Sequence, residues 1–197
     1  MAEKTKSLAA VVSQEKIATD IYSLILATPA AQKAVAGQFV SVYCKDRTKL
    51  LPRPISICEI NREAETLRLV YRVTGKGTGT EEFSRLKAGD QVEILGPLGN
   101  GFPLTGKQPL VIGGGIGVPP MLELAQALSR VLLVEEVKAG RADGSGDSRQ
   151  EGRDVRVTAV LGYRDSQLFL KEEVEPWAEG YVSTDDGSAG TKGTVID

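Results

Sequence analysis

The stretch Leu110–Met121, with the sequence Leu-Val-Ile-Gly-Gly-Gly-Ile-Gly-Val-Pro-Pro-Met, decides the fold of the second half of the chain. Its three leading branched residues predict a short buried strand. The glycines that follow permit a tight turn and let a ligand approach the backbone, because they carry no Cβ atoms. Pro119 and Pro120 suit the first turn of a helix, where a missing N–H costs no hydrogen bond. Together these features present N–H groups and a partial positive charge, which predicts a diphosphate site.

The glycines of this turn are its candidate ligand contacts. They match the dinucleotide fingerprint at its first and third positions, but Val118 occupies the sixth and the double proline is foreign to it. The alternative is a structural strand-to-helix turn without a ligand. Nucleotide binding is favoured, because four glycines cost backbone entropy on folding, and a purely structural turn would not need all of them. The candidate residues are Gly113, Gly114, Gly115 and Gly117.

After this turn, strands and helices alternate, which predicts a parallel sheet with crossover helices. Ligands in such sheets bind beyond the carboxyl ends of the strands, and Gly113, Gly162 and Asp185 all fall there. The predicted elements are a helix from Pro119 to about Val137 (with Val131–Val134 equally compatible with a strand), a surface loop at Ala139–Asp154, a strand at Val155–Leu161, a charged helix at Phe169–Glu179 and a short strand at Tyr181–Thr184.

The first half of the chain, from Ser7 to about Leu104, alternates short strand-like stretches with turn residues. Each stretch mixes branched or aromatic residues with polar ones. Six strands at such spacing predict a small antiparallel barrel or sandwich, and Gly79–Leu86 is predicted to form a short helix within it. The predicted strands are Leu8–Ser13, Ile21–Ala27, Gln38–Cys44, Ile55–Ile60, Thr66–Val73 and Gln91–Leu95.

Two stretches of this half suit an anion. In Arg53-Pro54-Ile55-Ser56, the arginine can pair bidentately with a phosphate and Ser56 can hydrogen-bond a ring nitrogen or carbonyl. The other stretch, Gly75–Thr80, offers backbone N–H groups, hydroxyls and a helix N-terminus. Singly, each has an ordinary alternative, a surface salt bridge or a plain hairpin. Together with the glycine turn of the second half, they favour two bound nucleotides.

Composition limits the class of protein. The 197 residues carry a formal net charge of −2, which gives no reason to expect nucleic acid or an anionic membrane as a partner. No apolar run is long enough to span a bilayer and Met1–Ser7 is polar, so a cytoplasmic location is expected. The absence of histidine excludes His-based triads and most zinc sites. The two cysteines, Cys44 and Cys58, lie in predicted strands and are expected to be buried reduced thiols.

Several motifs, in order along the chain, resemble those of the ferredoxin–NADP reductase superfamily. They run through nearly the whole chain, and the ordered set is far more specific than any single motif. The combination is most similar to the electron-transfer subunits of the B-type, NAD-linked dihydroorotate dehydrogenases. The motifs are Arg53-Pro54-Ile55-Ser56, Val70-Tyr71-Arg72-Val73 with Gly75-Lys76-Gly77-Thr78, Gly96–Phe102, Gly113–Pro120, Leu161–Arg164, Thr184–Ser188 and Gly190–Gly193.

This resemblance implies a fold class, a β barrel plus α/β. An antiparallel flavin-binding barrel is followed by a truncated parallel-sheet nicotinamide-binding domain. The FAD-binding β-barrel would occupy residues 1–104, and an incomplete NAD-binding α/β domain would occupy residues 105–197, without the C-terminal [2Fe–2S] region of the family. Four cysteines hold that cluster in the family, whereas this chain has two. The expectation is either a fragment or a natural member without a cluster.

The resemblance also implies the cofactor contacts. Arg53 and the Gly77 and Thr78 amides would cradle the FAD diphosphate, Ser56 would lie near the reactive edge of the isoalloxazine, and Tyr71 would pack against the cofactor. The glycine turn would face the NAD diphosphate, and no catalytic or metal-binding side chain is expected. The full set is Arg53, Pro54, Ile55, Ser56, Val70, Tyr71, Arg72, Gly77 and Thr78 for FAD, and Gly113, Gly114, Gly115, Gly117, Gly162, Arg164 and Asp185 for NAD.

The implied function is electron transfer between a dihydroorotate dehydrogenase catalytic subunit and NAD through FAD, in a hetero-oligomer that serves pyrimidine (UMP) biosynthesis. The flavin carries the chemistry and the protein supplies orientation and electrostatics, so no catalytic acid or base is required. Two alternatives stay open. One is the small subunit of an NADH-dependent ferredoxin–NADP reductase or of a sulfide dehydrogenase, and the other is a non-catalytic nucleotide-binding fragment.

Overall fold

The computed structural model describes residues 5–138 and 156–197. The chain divides into two compact units, Met1–Phe102 and Pro103–Asp197. The first unit contains a closed antiparallel barrel and the second a parallel sheet with helices, so the predicted fold class is confirmed. The loop predicted at Ala139–Asp154 lies outside the described residues.

Six antiparallel strands close the barrel of the first unit, each hydrogen-bonded to a neighbour on both sides. The strands are β1 (Thr5–Ala18), β2 (Ile21–Ala27), β3 (Phe39–Val42), β4 (Arg53–Asn61), β5 (Thr66–Arg72) and β6 (Gln91–Leu98). Their order around the barrel is β1-β2-β5-β4-β3-β6, and β6 pairs again with β1. Closure leaves no unpaired sheet edge in this unit, which decides between the barrel and the sandwich.

Alternation along the strands fills the barrel interior. Successive side chains of a strand point to opposite faces, and in β2 and β5 one set of alternate residues, from Leu24 and Leu26 to Leu67 and Leu69, is fully buried. The short helix α1 (Gly79–Phe83) adds Phe83 to the same core. Because Phe83 anchors α1 to the barrel, the loop that precedes α1 is held at the barrel as well.

Four parallel strands form the sheet of the second unit, in the order β10-β9-β8-β7. They are β7 (Leu110–Gly114), β8 (Thr158–Tyr163), β9 (Glu179–Thr184) and β10 (Thr191–Lys192). The helix α2 (Pro119–Lys138) follows β7 and packs on it, and α3 (Lys171–Val174) precedes β9. In α2 the buried residues recur at helical spacing through Leu128 and Leu132. Val131–Val134 is therefore helix, not strand.

The local structure differs from the sequence expectations at three places. The helix predicted at Phe169–Glu179 is reduced to α3, because Leu170 has a left-handed backbone with φ of +65° and Pro176 has no N–H to donate. The two-residue strand β10 was not predicted at all. Cys44 follows β3 instead of lying within it, and it is half-buried, whereas Cys58 in β4 is buried. No helix in the described part of the chain is long and apolar enough to cross a membrane.

Replacing Phe83 by alanine tests the anchoring of α1. Phe83 is 1% exposed, and its ring meets the Tyr71 ring edge-to-face at a centroid distance of 6.1 Å. We expect Phe83→Ala to lower the free energy of unfolding of the barrel by about 3–5 kcal/mol, from lost burial and the cavity left behind. Urea unfolding followed by far-UV circular dichroism measures it. Leu50→Ala, at a residue that is 85% exposed, should change it by less than about 0.5 kcal/mol; equal effects of the two changes would contradict the anchoring role.

Candidate functional site

The first candidate site lies where β4 begins beside the start of α1. A Cβ atom added to Gly79 would lie 2.9 Å from Nε of Arg53 and 2.7 Å from Sγ of Cys44. Such distances are too short for any side chain, so only glycine permits this approach. The structure thus brings Arg53 next to the residue that follows Thr78, and the two anion-suited stretches of the barrel meet at one place.

The loop Gly75–Thr78 presents an open backbone beside Arg53. Gly75 and Gly77 have φ values of +139° and +74°, and no heavy atom beyond their chain neighbours lies within 4 Å of a Cβ position at either residue. Thr78 caps α1, since its Oγ1 accepts the N–H of Glu81 at 3.3 Å and donates to the carbonyl of Gly75 at 2.7 Å. Glycine is required here by the left-handed backbone and not by crowding.

This loop already binds an anionic group of the chain itself. Oε2 of Glu81 accepts the N–H of Gly77 at 2.5 Å, and Oε1 accepts Nη2 of Arg85 at 2.8 Å. The backbone hydrogen bond from Gly77 is the main reason that the pKa of Glu81 lies below its ordinary value. The carboxylate shows that the Gly77 N–H suits an oxyanion.

The remaining predicted flavin contacts divide by the face of the strand on which they lie. Pro54 and Ser56 are exposed on the outer face of β4, whereas Ile55 between them is part of the barrel core. The guanidinium of Arg53 donates to the carbonyl of Leu51, and Arg53 is half-buried. Ser56 and Arg53 are three residues apart, so their side chains leave opposite faces of the strand.

The structure places Tyr71 inside the barrel. Its ring is 2% exposed, stacks on Tyr22 at a centroid distance of 5.9 Å and meets Phe83. Its hydroxyl donates to Oε1 of Gln14 at 2.7 Å, and burial raises the pKa of this phenol. Val70 is also buried, while Arg72 at the end of β5 is half-buried. Tyr71 therefore supports the core beneath α1 in the structure described.

Gln14 is a residue that sequence reasoning missed. Its side-chain amide donates to the carbonyls of Phe83 and Leu86, at 3.0 and 2.9 Å, and thereby ties the end of α1 to β1. The partners lie 69 and 72 positions away along the chain. No local pattern signals such a contact, because only the closed barrel brings β1 and α1 together.

The second candidate site, in the other unit, is the carboxyl edge of the parallel sheet. Gly114 pairs with Gly162, and Gly162 pairs with Ser183, so small residues form a row across β7, β8 and β9. Arg164 and Asp185 follow the paired residues at the ends of β8 and β9, and both are exposed. The structure therefore places the predicted nicotinamide-site residues of the three strands along one edge.

The glycines of this edge differ in what surrounds them. Around a Cβ on Gly113, Cγ of Met121 would lie at 2.8 Å and the carbonyl oxygen of Gly117 at 2.9 Å, so Gly113 allows α2 to pack against β7. A Cβ on Gly162 would lie 2.4 Å from Cγ1 of Val195. Gly117, in contrast, has nothing within 4 Å of that position, and Gly115 has a φ of +53°.

Ser183, on the same edge, is not among the site residues predicted from the sequence. It is 3.4 Å from the Cβ position of Gly162, and Ser183 is 5% exposed. Within the described residues its Oγ is buried and has no hydrogen-bond partner. The neighbouring Thr184 is satisfied, because its Oγ1 donates to the carbonyl of Ala189 and accepts that residue's N–H, at 2.7 and 3.1 Å.

Comparison with known proteins shows which class of protein has this fold. Residues 8–102 match the family model described as "Oxidoreductase FAD-binding domain". Over 97% of the chain, the fold is similar to a solved structure of an NADH-dependent reduced ferredoxin–NADP oxidoreductase studied for flavin-based electron bifurcation (TM-score 0.75, 29% identity, 61% of that chain). A ferredoxin–NADP⁺ reductase from Neisseria gonorrhoeae with bound FAD and NADP shares the fold over 95% of this chain and 71% of its own (TM-score 0.67, 15% identity). The fold is therefore that of the ferredoxin reductase-like flavoproteins.

Sequence similarity identifies the family within this class of flavoproteins. The chain is 41% identical over 195 residues to the dihydroorotate dehydrogenase B (NAD(+)) electron transfer subunit of Streptococcus mutans, and 40% identical over 194 residues to that of a Geobacillus species. Each match covers 95% of this chain and 66% of the relative. The chain belongs to the family of these electron transfer subunits, and it spans about two thirds of the length of the relatives that it matches.

Two glycines of the parallel sheet provide a matched test of packing against ligand contact. Gly113→Ala should lower the free energy of unfolding of the second unit by about 1–3 kcal/mol, because its Cβ has no room. Gly117→Ala should change it by less than about 0.5 kcal/mol, since its surroundings are open. Trp177, the single tryptophan of the chain, lies in the second unit and reports its unfolding by fluorescence. Equal losses of stability in the two variants would contradict this assignment.

Proposed function

We propose that this chain is a flavin- and nicotinamide-binding electron-transfer subunit that passes electrons between a dihydroorotate dehydrogenase catalytic subunit and NAD. The observation that carries the proposal is the contact of Arg53 with Gly79 beside the open Gly75–Thr78 loop. It places a fixed positive charge and a glycine backbone at one point of a barrel that matches an FAD-binding family. The partner, its hetero-oligomer, the cytoplasmic location and the role in pyrimidine biosynthesis are parts of the same proposal.

The diphosphate of FAD is the part of the cofactor that this place suits. A guanidinium pairs with phosphate oxygens through two parallel hydrogen bonds, and a left-handed glycine loop presents N–H groups to an anion. Glu81 occupies one of these donors with a carboxylate, which supports a fit to oxyanions. Arg53, Gly77 and Thr78 would hold the diphosphate.

The isoalloxazine would lie along the outer face of β4. Pro54 and Ser56 are exposed on that face, so a flat ring can reach the Ser56 hydroxyl. Ile55, Val70 and Tyr71 are buried, and they would contribute backbone groups, while Arg72 at the end of β5 would contribute its side chain. FAD, when bound, supplies the capacity to accept and donate a hydride, and these residues bind and orient it.

NAD would bind at the carboxyl edge of the parallel sheet in the second unit. Gly114 is exposed and Gly115 and Gly117 are half-buried just before α2, where N–H groups and a partial positive charge favour a diphosphate. Gly162 lies beside them, and Arg164 and Asp185 would line the edge. Gly113 would act indirectly, by setting the distance between β7 and α2.

A [2Fe–2S] cluster does not fit the cysteines of this chain. Such a centre needs four ligands, whereas the chain has Cys44 and Cys58, of which Cys58 is buried in β4. Among the described residues, no group of three or more histidine, cysteine or acidic side chains is arranged to hold a metal ion. The residues of this chain therefore carry no electron-transfer step through a cluster.

A second candidate is the subunit of an NADH-dependent ferredoxin–NADP reductase. The similarity to the solved oxidoreductase of that kind, at 29% identity over 97% of the chain, favours it. The loop motifs do not separate the two functions. Identification of the subunit that co-purifies with this chain separates them, because one candidate pairs with a dihydroorotate-oxidising flavoprotein and the other does not.

Reduction of the bound cofactor by NADH tests the proposed function. The purified chain, loaded with FAD, should show the yellow flavin absorbance, and stoichiometric NADH should bleach it under anaerobic conditions. Turnover with NADH and an artificial electron acceptor should follow. A chain that binds neither nucleotide would defeat the proposal, and a chain that binds both without any turnover would support a non-catalytic binding module instead.

Arg53→Lys tests the flavin site itself. Lysine keeps the charge but loses the bidentate geometry, so we expect the Kd for FAD to rise about tenfold. Quenching of flavin fluorescence measures the Kd. Arg62→Lys is the matched control, because Arg62 donates to the carbonyl of Ala34 at 2.7 Å and not to the proposed site; its Kd should stay within about twofold of the original. Equal effects at the two arginines would remove Arg53 from the site.

A further inference from the structure

Glu81 occupies a hydrogen-bond donor that the proposed FAD site needs. Its Oε2 accepts the Gly77 N–H at 2.5 Å, and its side chain is 27% exposed. An N–H group donates one strong hydrogen bond, and a carboxylate at that distance repels a phosphate oxygen aimed at the same hydrogen. The carboxylate and the diphosphate cannot both hold the Gly77 amide.

We propose that Glu81 competes with the cofactor diphosphate: its carboxylate holds the Gly77 amide in the cofactor-free chain and leaves it when FAD binds. This inference rests on the proposed flavin site and deepens it, because it names a residue that lowers the affinity for FAD. The ligand class is a dinucleotide diphosphate, whose oxygens take the place of the carboxylate.

Arg85 makes the exchange feasible. Its Nη2 donates a hydrogen bond to Oε1 of Glu81 at 2.8 Å, and its side chain is 73% exposed. When the Gly77 hydrogen bond breaks, the Glu81 charge keeps this partner and gains water. The carboxylate is therefore not left buried and unpaired, which would carry a large energetic penalty.

The helix α1 does not depend on which partner the carboxylate has. The backbone N–H of Glu81 donates to Oγ1 of Thr78, and that cap involves no atom of the Glu81 side chain. Phe83 and Gln14 anchor the rest of the helix to the barrel. Displacement of the carboxylate therefore requires rotation of the Glu81 side chain only, and the loop and the helix stay in place.

The adjacent Glu82 is the matched control on the same turn. Its Oε1 accepts the N–H of Lys45 at 2.5 Å and that of Asp46 at 3.4 Å, and its Oε2 accepts Nζ of Lys49 at 3.0 Å. Glu82 has the same charge and the same place at the start of α1, but its carboxylate holds the loop that precedes β4. Neutralising Glu82 removes one negative charge without freeing the Gly77 amide.

Titration of FAD into the cofactor-free full chain tests the inference. We expect Glu81→Gln to lower the Kd for FAD about three- to tenfold relative to the unchanged chain, since an amide oxygen competes more weakly for the N–H. Glu82→Gln should stay within about twofold. Flavin fluorescence quenching measures all three, and circular dichroism verifies that each variant is folded.

A second measurement observes the Gly77 amide directly in the cofactor-free chain. In ¹H–¹⁵N spectra of the cofactor-free chain, the Gly77 amide should lie downfield and shift as the Glu81 carboxylate titrates, at a pH below the ordinary glutamate range because its pKa is lowered. Glu81→Gln should abolish that shift and Glu82→Gln should preserve it. A Gly77 amide that ignores pH in the unchanged chain would overturn the competitor role.

The outcomes separate the two proposals. FAD binding by the unchanged chain with an equal or weaker affinity in Glu81→Gln overturns the inference and leaves the proposed function standing. Failure of all three proteins to bind FAD, with the fold intact, overturns both. Tighter binding in Glu81→Gln and in Glu82→Gln alike would show a general effect of charge, and it would also overturn the specific role of the Gly77 amide.

Discussion

The absence of a side chain at Gly79 is the constraint on which the first unit's site depends. Cys44 and Arg53 fill the space that a Cβ would take, so the start of α1 lies directly against the start of β4. On the other side, Phe83 in the core and the Gln14 amide at the end of the helix hold α1 to the barrel. A five-residue helix has little stability of its own, and its position here comes from these tertiary contacts. The Gly75–Thr78 loop is held in place as well, because it leads directly into α1.

Glycines serve two distinct purposes in this chain, and the surroundings of each glycine distinguish them. Gly79, Gly113 and Gly162 are crowded, and they let helices or segments approach strands more closely than any side chain allows. Gly77 and Gly117 are open, and they leave backbone accessible to a ligand. A glycine-rich motif therefore mixes glycines that packing requires with glycines whose surroundings are open, and we expect substitution to affect stability in the first group and ligand binding in the second.

The two acidic side chains at the start of α1 also have more than one role. Glu81 and Glu82 both satisfy backbone N–H groups of neighbouring loops, and each has a basic partner, Arg85 or Lys49. Acidic residues in the first turn favour a helix, but here they also order the loops on both sides of Arg53. In the proposed flavin site, these contacts would order the loops before the cofactor binds. Of the two, only Glu81 is proposed to compete with an anionic cofactor, because its carboxylate holds the Gly77 amide.

Much of the architecture was determined by the sequence alone. The alternating strands of the barrel, the strand-turn-helix at Leu110–Met121 and the short helix that begins at Gly79 follow from local patterns, because periodicity and glycine act within a few positions. The ordered motifs, from Arg53 onward, also indicated the family. The predicted helix at Phe169–Glu179 was wrong because the local pattern did not anticipate the left-handed Leu170.

Only the tertiary structure decided how the candidate residues are used. Tyr71 was predicted to pack on a cofactor, yet its ring fills the core between Tyr22 and Phe83. Gly113 proved to be crowded by α2, and Gln14 and Glu82 gained partners that no local pattern indicates. The physical reason is that strand and helix preferences are local, whereas the space around a glycine or the partner of a carboxylate depends on residues that folding brings from distant parts of the chain.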